Sequence, residues 1–159
     1  MYSYHIKDSY FNNAAIYLGT SNTNLMSNKE NGGYRPHFCC FNDPSNPSIL
    51  WAIPQSTKVQ KYQNLLNSKI KRSGSCDTIV IGQFGGRDNA FLIQNMFPIS
   101  QKYIDHTHTI NGKPVKVHKA LEQEIITKAQ RTLHIYKTNK KILFCDVDKL
   151  YEMILNEIS

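Results

Sequence analysis

Residues 34–62 constrain the fold of this chain more than any other part of its sequence. Two short apolar runs, residues 38–41 and 49–53, are separated by the turn-forming sequence NDPSNPS. Apolar runs joined by Asp, Pro, Asn and Ser are typical of a β-hairpin. In an antiparallel pair, the start of the first strand and the end of the second strand lie at the same end. The sequence therefore predicts that Arg35 lies near the polar corner that follows the second run.

That corner contains Ser56, Thr57 and Lys58. A helix is predicted to begin at Thr57 and to end near Arg72, because apolar residues recur there every three or four positions. A glutamine three positions after Thr57 fits a capping box, with Thr57 as the N-cap. The start of such a helix adds free backbone N–H groups and a partial positive charge. With Arg35 across the hairpin, the corner is suited to hold one anion; the competing interpretation is that Thr57 only caps the helix.

The size and charge of the chain limit its class of function. At 159 residues it is long enough for one domain with its own core. A formal charge of +7 favours nucleic acid, an anionic membrane surface or an acidic protein as partner. No apolar run approaches the roughly 18 residues of a membrane span, and the N-terminus shows no secretory signal pattern. We therefore expect a cytoplasmic protein without membrane contact.

The sequence gives little support for a metal or cofactor site. The four cysteines form no Cys-x-x-Cys motif, so we expect reduced thiols and no zinc site. His106 and His108 form a His-x-His pair, but with Asp105 as the one acid nearby we expect no metal there. The glycines of residues 82–89 lack the spacing of a P-loop or a Rossmann fingerprint and indicate a hairpin instead. No cofactor is therefore expected.

The remaining patterns predict an α+β domain covering residues 1–159. Residues 2–7 alternate as in a strand, and the Asn-, Ser- and Gly-rich residues 19–33 predict a mobile loop. A long helix is expected from Pro114 to about Thr138, and a last helix is expected after Asp146 as N-cap. Further strands are predicted at residues 78–81, 90–93 and 94–99. Strands joined at hairpin lengths favour an antiparallel sheet or a small barrel decorated by helices.

Three segments resemble a known group of toxins in their residues and in their order. They are Tyr4-His5-Ile6-Lys7 leading to Tyr10, the Arg-Pro pair with its hairpin and corner in residues 34–62, and residues 91–99. This pattern resembles the MazF/PemK-like ribosome-independent endoribonuclease toxins. It resembles more closely the ToxN/AbiQ-like toxins of type III toxin–antitoxin systems, especially their CptN-type branch.

The resemblance carries expectations about fold, partners and role. It implies a compact antiparallel SH3-like (MazF/PemK-like) β-barrel decorated by helices, and a role in phage defence. It also implies that a structured, repeat-encoded RNA antitoxin binds the same groove as the RNA substrate, and that toxin and RNA assemble into hetero-oligomers.

The expected chemistry is a metal-independent cleavage in which RNA supplies its own nucleophile, the 2′-hydroxyl, and a 2′,3′-cyclic phosphate forms. Positive and hydroxyl groups aimed at the phosphate would provide most of the rate enhancement. We expect Lys58 and Arg35 to bind the phosphate, with Ser56 and Thr57 as hydroxyl donors. The resembled toxins carry Thr-Ser-x-Lys at this place, whereas the lysine here comes one position earlier. Whether Lys58 or Lys61 fills the lysine role therefore stays open.

The proton-transfer groups and the RNA contacts are less defined. Lys58 is one candidate for acid–base work if neighbouring cations lower its pKa, and His37 is the other. For base stacking and backbone contact, the nearest candidates are the aromatic and positive residues Lys7, Tyr10, Tyr34, His37 and Lys61. Two alternative functions stay open at this point: a non-catalytic module that binds single-stranded RNA, and a type II MazF-like toxin with a protein antitoxin.

Overall fold

The computed structural model describes residues 1–19 and 24–159 and shows an α+β fold. Its helices are α1 (Asp8–Leu18), α2 (Val59–Ser73), α3 (Lys119–Tyr136) and α4 (Val147–Ile158). Its strands are β1 (Ser3–Ile6), β2 (Lys29–Glu30), β3 (Gly33–Tyr34), β4 (His37–Asn42), β5 (Ile49–Ser56), β6 (Val80–Phe84), β7 (Arg87–Phe91), β8 (Phe97–Ser100), β9 (Ile104–Thr107), β10 (Thr109–Ile110) and β11 (Lys113–Pro114). Within these ranges no helix combines the length and apolar composition that a bilayer-spanning segment requires.

One antiparallel sheet organises the molecule, with its strands in the order β6-β7-β5-β4-β1-β9. The predicted hairpin is confirmed, since β4 pairs with β5 and His37 lies opposite Pro54. On the edge opposite β4, β5 pairs with two strands: its first half pairs with β8, and Gln55 and Ser56 pair with β7. Because these last pairs continue the ladder, β5 extends through Ser56 and places that residue at the end of a buried strand.

The expected closed SH3-like barrel is not confirmed, although the antiparallel α+β class is. In the part of the chain that the structure describes, the sheet begins at β6 and ends at β9, and these two edge strands do not pair. Side chains lie near these edges instead: the Phe84 and His108 rings are 5.6 Å apart. Ile110 of the β10–β11 hairpin also packs so close to Gly85 that a Cβ at this glycine would clash with the Cδ1 atom of Ile110. Packing between side chains thus replaces the hydrogen bonds of a closed barrel.

Aromatic and branched aliphatic side chains fill the core between the sheet and the helices. α3 packs on β4, while α4 packs on β8 and on α1. Tyr10 is fully buried, and its hydroxyl donates a hydrogen bond of 2.9 Å to the carbonyl of Pro98. Each large apolar side chain buried in this way contributes about 1.5–3 kcal/mol.

Local signals placed the last helix correctly and two earlier elements incorrectly. Asp146 caps α4 as predicted, since its carboxylate accepts a 3.2 Å hydrogen bond from the N–H of Lys149. α2 begins at Val59 with Lys58 as N-cap, so the predicted capping role of Thr57 is wrong. Pro114 lies in β11 rather than in the first turn of α3, because residues 109–114 pair as a hairpin.

The segment that was predicted to be a loop contains a short hairpin. Residues 20–23 lie outside the described residues. β2 and β3 pair antiparallel, with Lys29 opposite Tyr34 and Glu30 opposite Gly33. This hairpin lies beside the corner of Ser56 and Thr57, and it decides the geometry of the site.

Candidate active site

The structure brings Ser56, Thr57 and Arg35 together around one carboxylate, that of Glu30. The Oε2 atom of Glu30 accepts hydrogen bonds from Ser56 Oγ at 2.6 Å and from Arg35 Nη1 at 3.1 Å. Its Oε1 atom accepts two from Thr57, one from the backbone N–H and one from the hydroxyl, both at 2.8 Å. An anion is thus held where the sequence predicts a phosphate.

The β2–β3 hairpin delivers Glu30 to this position. Its turn residues Asn31 and Gly32 both have positive φ, 53° and 78°, as a type I′ turn requires. The Asn31 amide reaches across and donates to the Thr57 hydroxyl at 3.3 Å. Asn28, directly before β2, is buried, and its amide donates to the carbonyl of Ile6 at 3.0 Å. The hairpin is therefore anchored to both β1 and the corner.

Arg35 uses nearly all its donors to hold that hairpin. Its guanidinium donates to the carbonyls of Ser27, Lys29 and Gln55 at 2.9–3.1 Å, in addition to Glu30. Four of its five N–H groups are therefore occupied. Its side chain is only 10% exposed and that of Glu30 only 7%. Arg35 lies at the site as predicted, but its main contacts fix the backbone of residues 27–30.

The Glu30 carboxylate is ionised at neutral pH. Burial by itself would raise its pKa, but the hydrogen bonds from Ser56 and Thr57 and the charge of Arg35 outweigh burial and hold the pKa below its usual value. The buried pair of Glu30 and Arg35 is therefore a charged pair. Neutralisation of Glu30 would leave the Arg35 charge without its counterion.

A groove opens beside Glu30. One cavity of about 460 Å³ is lined by residues that include Tyr34, Thr57, Arg87 and His108. A second cavity, of about 470 Å³, is lined by Lys7, His5 and His106, and it also includes Tyr34. Tyr34 is 52% exposed and borders both cavities. The two cavities therefore both border the Tyr34 ring, and we call them together the Tyr34 groove.

Positive side chains around the corner and the groove are available to a ligand. Lys7, Lys58 and Arg87 are exposed, and none of them forms an ion pair with any residue of the described ranges. Lys61 is also exposed, with its Nζ 5.3 Å from the ring of Tyr62. Of the two lysines considered for the phosphate, Lys58 lies next to the Ser56–Thr57 corner, where its N–H bonds Ser56 Oγ at 3.1 Å.

Two predicted RNA-binding residues lie in the core instead. Tyr10 and His37 have no exposed surface. Burial, with the charges of Arg35 and His5 nearby, lowers the pKa of His37 to about 3, so it stays neutral at physiological pH. Neither side chain has a face on which a base can stack, and we remove both from the RNA-binding set. His37 occupies its strand position by packing against Phe97 and Phe11.

Three histidines and an aspartate cluster around the first strand. His5 Nε2 lies 2.8 Å from His108 Nδ1, and the His5 ring stacks on His106 with centroids 4.6 Å apart. Asp105 contacts His106 Nδ1 at 2.8 Å. In the described part of the chain, no group of three or more His, Cys, Asp or Glu side chains is arranged to hold a metal ion.

Sequence reasoning missed Glu30, Arg87 and His108 as groove residues. For Glu30 a signal was present, since Asn31-Gly32 is a strong two-residue hairpin sequence and predicts that the residue before it is fixed in a strand. Arg87 follows the Gly85-Gly86 turn of a hairpin that was predicted, but its position near Thr57 depends on the pairing of β7 with β5. No local pattern indicates the pairing of His5 with His108.

Comparisons with known proteins support the fold. No protein-family model and no curated protein sequence matches the chain. Among solved structures, AbiQ, a lactococcal anti-phage endoribonuclease of a type III toxin–antitoxin system, matches 99% of this chain and 97% of its own with a TM-score of 0.70 and 14% identity. A protein from a bacterial antiviral system regulated by a processed non-coding RNA matches 98% of both chains with a TM-score of 0.68 and 12% identity. The resemblance to ToxN/AbiQ-like toxins that the sequence indicates is thus confirmed in the fold of the whole chain.

Proposed function

We propose that this chain is a metal-independent endoribonuclease toxin of a type III toxin–antitoxin system, held inactive by an RNA antitoxin. The observation that carries the proposal is the corner of Ser56 and Thr57, which already binds an anion and borders the Tyr34 groove. Lys7 and Arg87 line that groove and form no ion pair with any residue that the structure describes. Three hydrogen-bond donors of the corner converge on the Glu30 carboxylate, which holds the corner in place at the edge of the groove. Donors and cations that are held in place before the reaction can stabilise the charge that develops on a phosphate during cleavage.

Thr57, Lys58 and Arg87 are the groups that we assign to the scissile phosphate. Thr57 and Lys58 are exposed, and Thr57 and Arg87 both line the cavity next to Glu30. The backbone N–H of Thr57 also donates to Glu30, so the residue stays in place when its hydroxyl rotates. Rotation of the hydroxyl is therefore enough to redirect its proton to a phosphate. Attack by O2′ forms the O2′–P bond and breaks the P–O5′ bond, which leaves a 2′,3′-cyclic phosphate.

Ser56 and Arg35 act through Glu30 in this proposal. Both are bound to its Oε2 atom, and Ser56 is only 1% exposed. We therefore assign them to positioning of the corner rather than to contact with RNA. Tyr34 and Lys7, which border the groove, would bind bases and backbone on either side of the phosphate.

Cleavage of RNA in the presence of EDTA tests the proposal. Purified protein is incubated with a pool of unstructured RNAs, and the new 3′ ends are examined for cyclic phosphate. Lys58→Ala should reduce cleavage about 100-fold or more. Lys71→Ala is the matched control, because it removes the same charge near the other end of the same helix, about 20 Å away. Equal loss in both variants would indicate a general charge effect and not a catalytic corner.

A non-catalytic RNA-binding module is the second candidate, and one observation favours it. Glu30 already occupies the donors of Ser56 and Arg35, so the corner as it stands presents few free donors to a phosphate. This candidate predicts salt-dependent binding to every RNA of the pool without any cut product. Intact RNA together with tight binding would therefore support the module over the enzyme.

The identity of the antitoxin is tested by what travels with the protein. The fold match to a protein from an antiviral system that a non-coding RNA regulates supports an RNA partner in a toxin–RNA hetero-oligomer. The net charge of +7 suits such a partner. When the chain is expressed with its flanking DNA, we expect a short RNA to co-purify and nuclease treatment to release it. A co-purifying protein without RNA would instead indicate a type II system.

A further inference from the structure

We propose that His108 is the general base of the cleavage reaction and that His5 orients it; the proposal rests on the endoribonuclease function proposed above. His108 lines the same cavity as Thr57 and Arg87, which we assign to the phosphate. It is the one imidazole of that cavity in the described ranges. Proton transfer from O2′ needs an acceptor, and the oxygens of the Glu30 carboxylate already accept four hydrogen bonds from Ser56, Thr57 and Arg35.

The hydrogen bond between the two rings determines which nitrogen can act. His108 Nδ1 lies 2.8 Å from His5 Nε2, so one of these two atoms donates and the other accepts. When His108 Nδ1–H donates to His5, the Nε2 atom of His108 carries a lone pair. No residue of the described ranges hydrogen-bonds that Nε2 atom. The contact with His5 thus holds the orientation of the His108 ring, and in this tautomer the Nε2 atom is the one that can act as a general base.

The protonation state suits a base. Burial and the neighbouring His106 lower the pKa of His108 below its usual value. Burial, together with His108 and His106, lowers the pKa of His5 to about 4, while the charge of Asp105 opposes this shift. Both rings are therefore neutral at physiological pH, and His108 is ready to accept a proton.

The step balances as follows. The O2′–P bond forms as the proton of O2′ passes to His108 Nε2, and the P–O5′ bond breaks. The leaving O5′ takes a proton from solvent water, and the imidazolium releases its proton to solvent before the next turnover. The imidazolium is stabilised meanwhile by its Nδ1–H bond to the neutral His5, because a hydrogen bond from a charged donor is stronger than one from a neutral donor.

Other groups around His108 also titrate or carry charge and must be considered in any pH profile. Asp105 and His106 lie on β9, directly before His108 in the chain, and the His106 ring stacks on His5 of β1. The charged groups that border its cavity from other elements are Glu30, Arg35 and Arg87. The pKa of Glu30 lies below its usual value, so that carboxylate stays charged where histidines titrate, and an acidic limb below the usual histidine pKa of about 6.5 is the one expected of His108.

His108→Asn is the sharpest variant. The Asn side-chain amide lies close to the place of the Nδ1–H, so the bond to His5 and the fold are retained, while the Nε2 base is removed. We expect kcat/KM on the pooled RNA to fall by about 100-fold or more, with the acidic limb of the pH profile lost. His5→Gln, which can accept from His108 through its amide oxygen, should keep most of the activity, and His5→Ala should lose about 10-fold. His134→Gln, an exposed histidine on α3, is the control and should be unchanged.

A modified substrate separates the base from an acid. Once a cleaved sequence is found, the same oligonucleotide is synthesised with sulphur in place of the leaving O5′, which needs no protonation. His108→Asn should be as defective on this substrate as on normal RNA. Rescue by sulphur would make His108 the acid and overturn the proposal, as would full activity of His108→Asn on normal RNA. Failure of the wild type to cleave any RNA would overturn the endoribonuclease function and this inference together, whereas the first two results leave that function standing.

Discussion

Removal of the Glu30 carboxylate should destabilise the fold more than removal of any surface carboxylate. Glu30 accepts four hydrogen bonds, and its partner Arg35 is 10% exposed. Breaking a buried ion pair by removal of one member commonly costs about 3–5 kcal/mol, because the other charge stays buried. Arg35 keeps its three carbonyl acceptors. We therefore expect Glu30→Ala to lower the free energy of unfolding by about 3 kcal/mol, at the lower end of that range.

Urea denaturation followed by circular dichroism measures this loss. Glu124→Ala is the matched control, since Glu124 makes one exposed i,i+4 ion pair with Lys128 at 2.8 Å. Pairs of that kind contribute about 0.3–0.5 kcal/mol. A Glu30→Ala variant within about 1 kcal/mol of the wild type, with an unchanged denaturant slope, would refute the central role of the carboxylate. A loss as small as that of Glu124→Ala would show that Glu30 is only a surface contact.

The pH dependence of the stability difference between the wild type and a Glu30 variant provides a second test. The folded-state pKa of Glu30 lies below its usual value, so its stabilising contribution is fully present above the unfolded pKa of about 4.3. That contribution is lost as the pH falls through the folded pKa. The stability gap between the wild type and Glu30→Gln should therefore be constant from pH 7 to 5 and should narrow below about pH 4. A gap that widens in acid would contradict the ionised pair.

Three further predictions concern the hairpin, the groove and the core. Gly32→Ala should destabilise the protein by about 1–2 kcal/mol because its φ is 78°, whereas Gly33→Ala, with its nearest contact at 3.8 Å, should be nearly neutral in the same melts. Tyr34→Ala should weaken binding of single-stranded RNA by about 5- to 150-fold in fluorescence anisotropy, while Tyr17→Ala, which removes an exposed tyrosine from α1, should not. Asp43→Ala should lower the free energy of unfolding by about 2–4 kcal/mol in urea denaturation, because Trp51 Nε1 and the Tyr151 hydroxyl both donate to that carboxylate. A change below about 1 kcal/mol would contradict this prediction.

Local sequence signals were sufficient for the hairpin that organises the chain. Asp, Pro, Asn and Ser between two apolar runs predicted the β4–β5 pair, and the geometry of an antiparallel pair then placed Arg35 near Ser56. The side chain of Asp146 predicted the start of α4 correctly for the same reason, since an N-cap acts within three residues of itself. Features whose cause lies within a few residues were therefore predictable.

Features that depend on distant partners were not predictable from local patterns. Thr57 followed by a glutamine matches a capping box, yet the Thr57 hydroxyl donates to Glu30, 27 residues earlier in the chain. A competing long-range acceptor thus outweighed the local cap. The closed barrel was expected by resemblance, but whether two edge strands pair depends on which side chains pack near them. The two rings of His5 and His108 are 103 residues apart in sequence and meet only because β1 pairs with β9.

The position of Glu30 explains how a corner of converging donors can exist in the folded protein without another anion. Two hydroxyls, a backbone N–H and a guanidinium cannot be held together in a poorly solvated place without an anion, because their partial and full positive charges repel and their hydrogen bonds would be unsatisfied. Glu30 supplies that anion from the chain itself, and the exposed cations Lys58 and Arg87 are left over to attract a phosphodiester. The two proposed functions predict different effects of the Glu30→Gln variant. In an enzyme, Glu30→Gln should reduce cleavage more than RNA affinity, since it loosens the corner that positions Thr57 for the transition state. In a binding module, removal of a negative charge beside the groove should only tighten RNA binding.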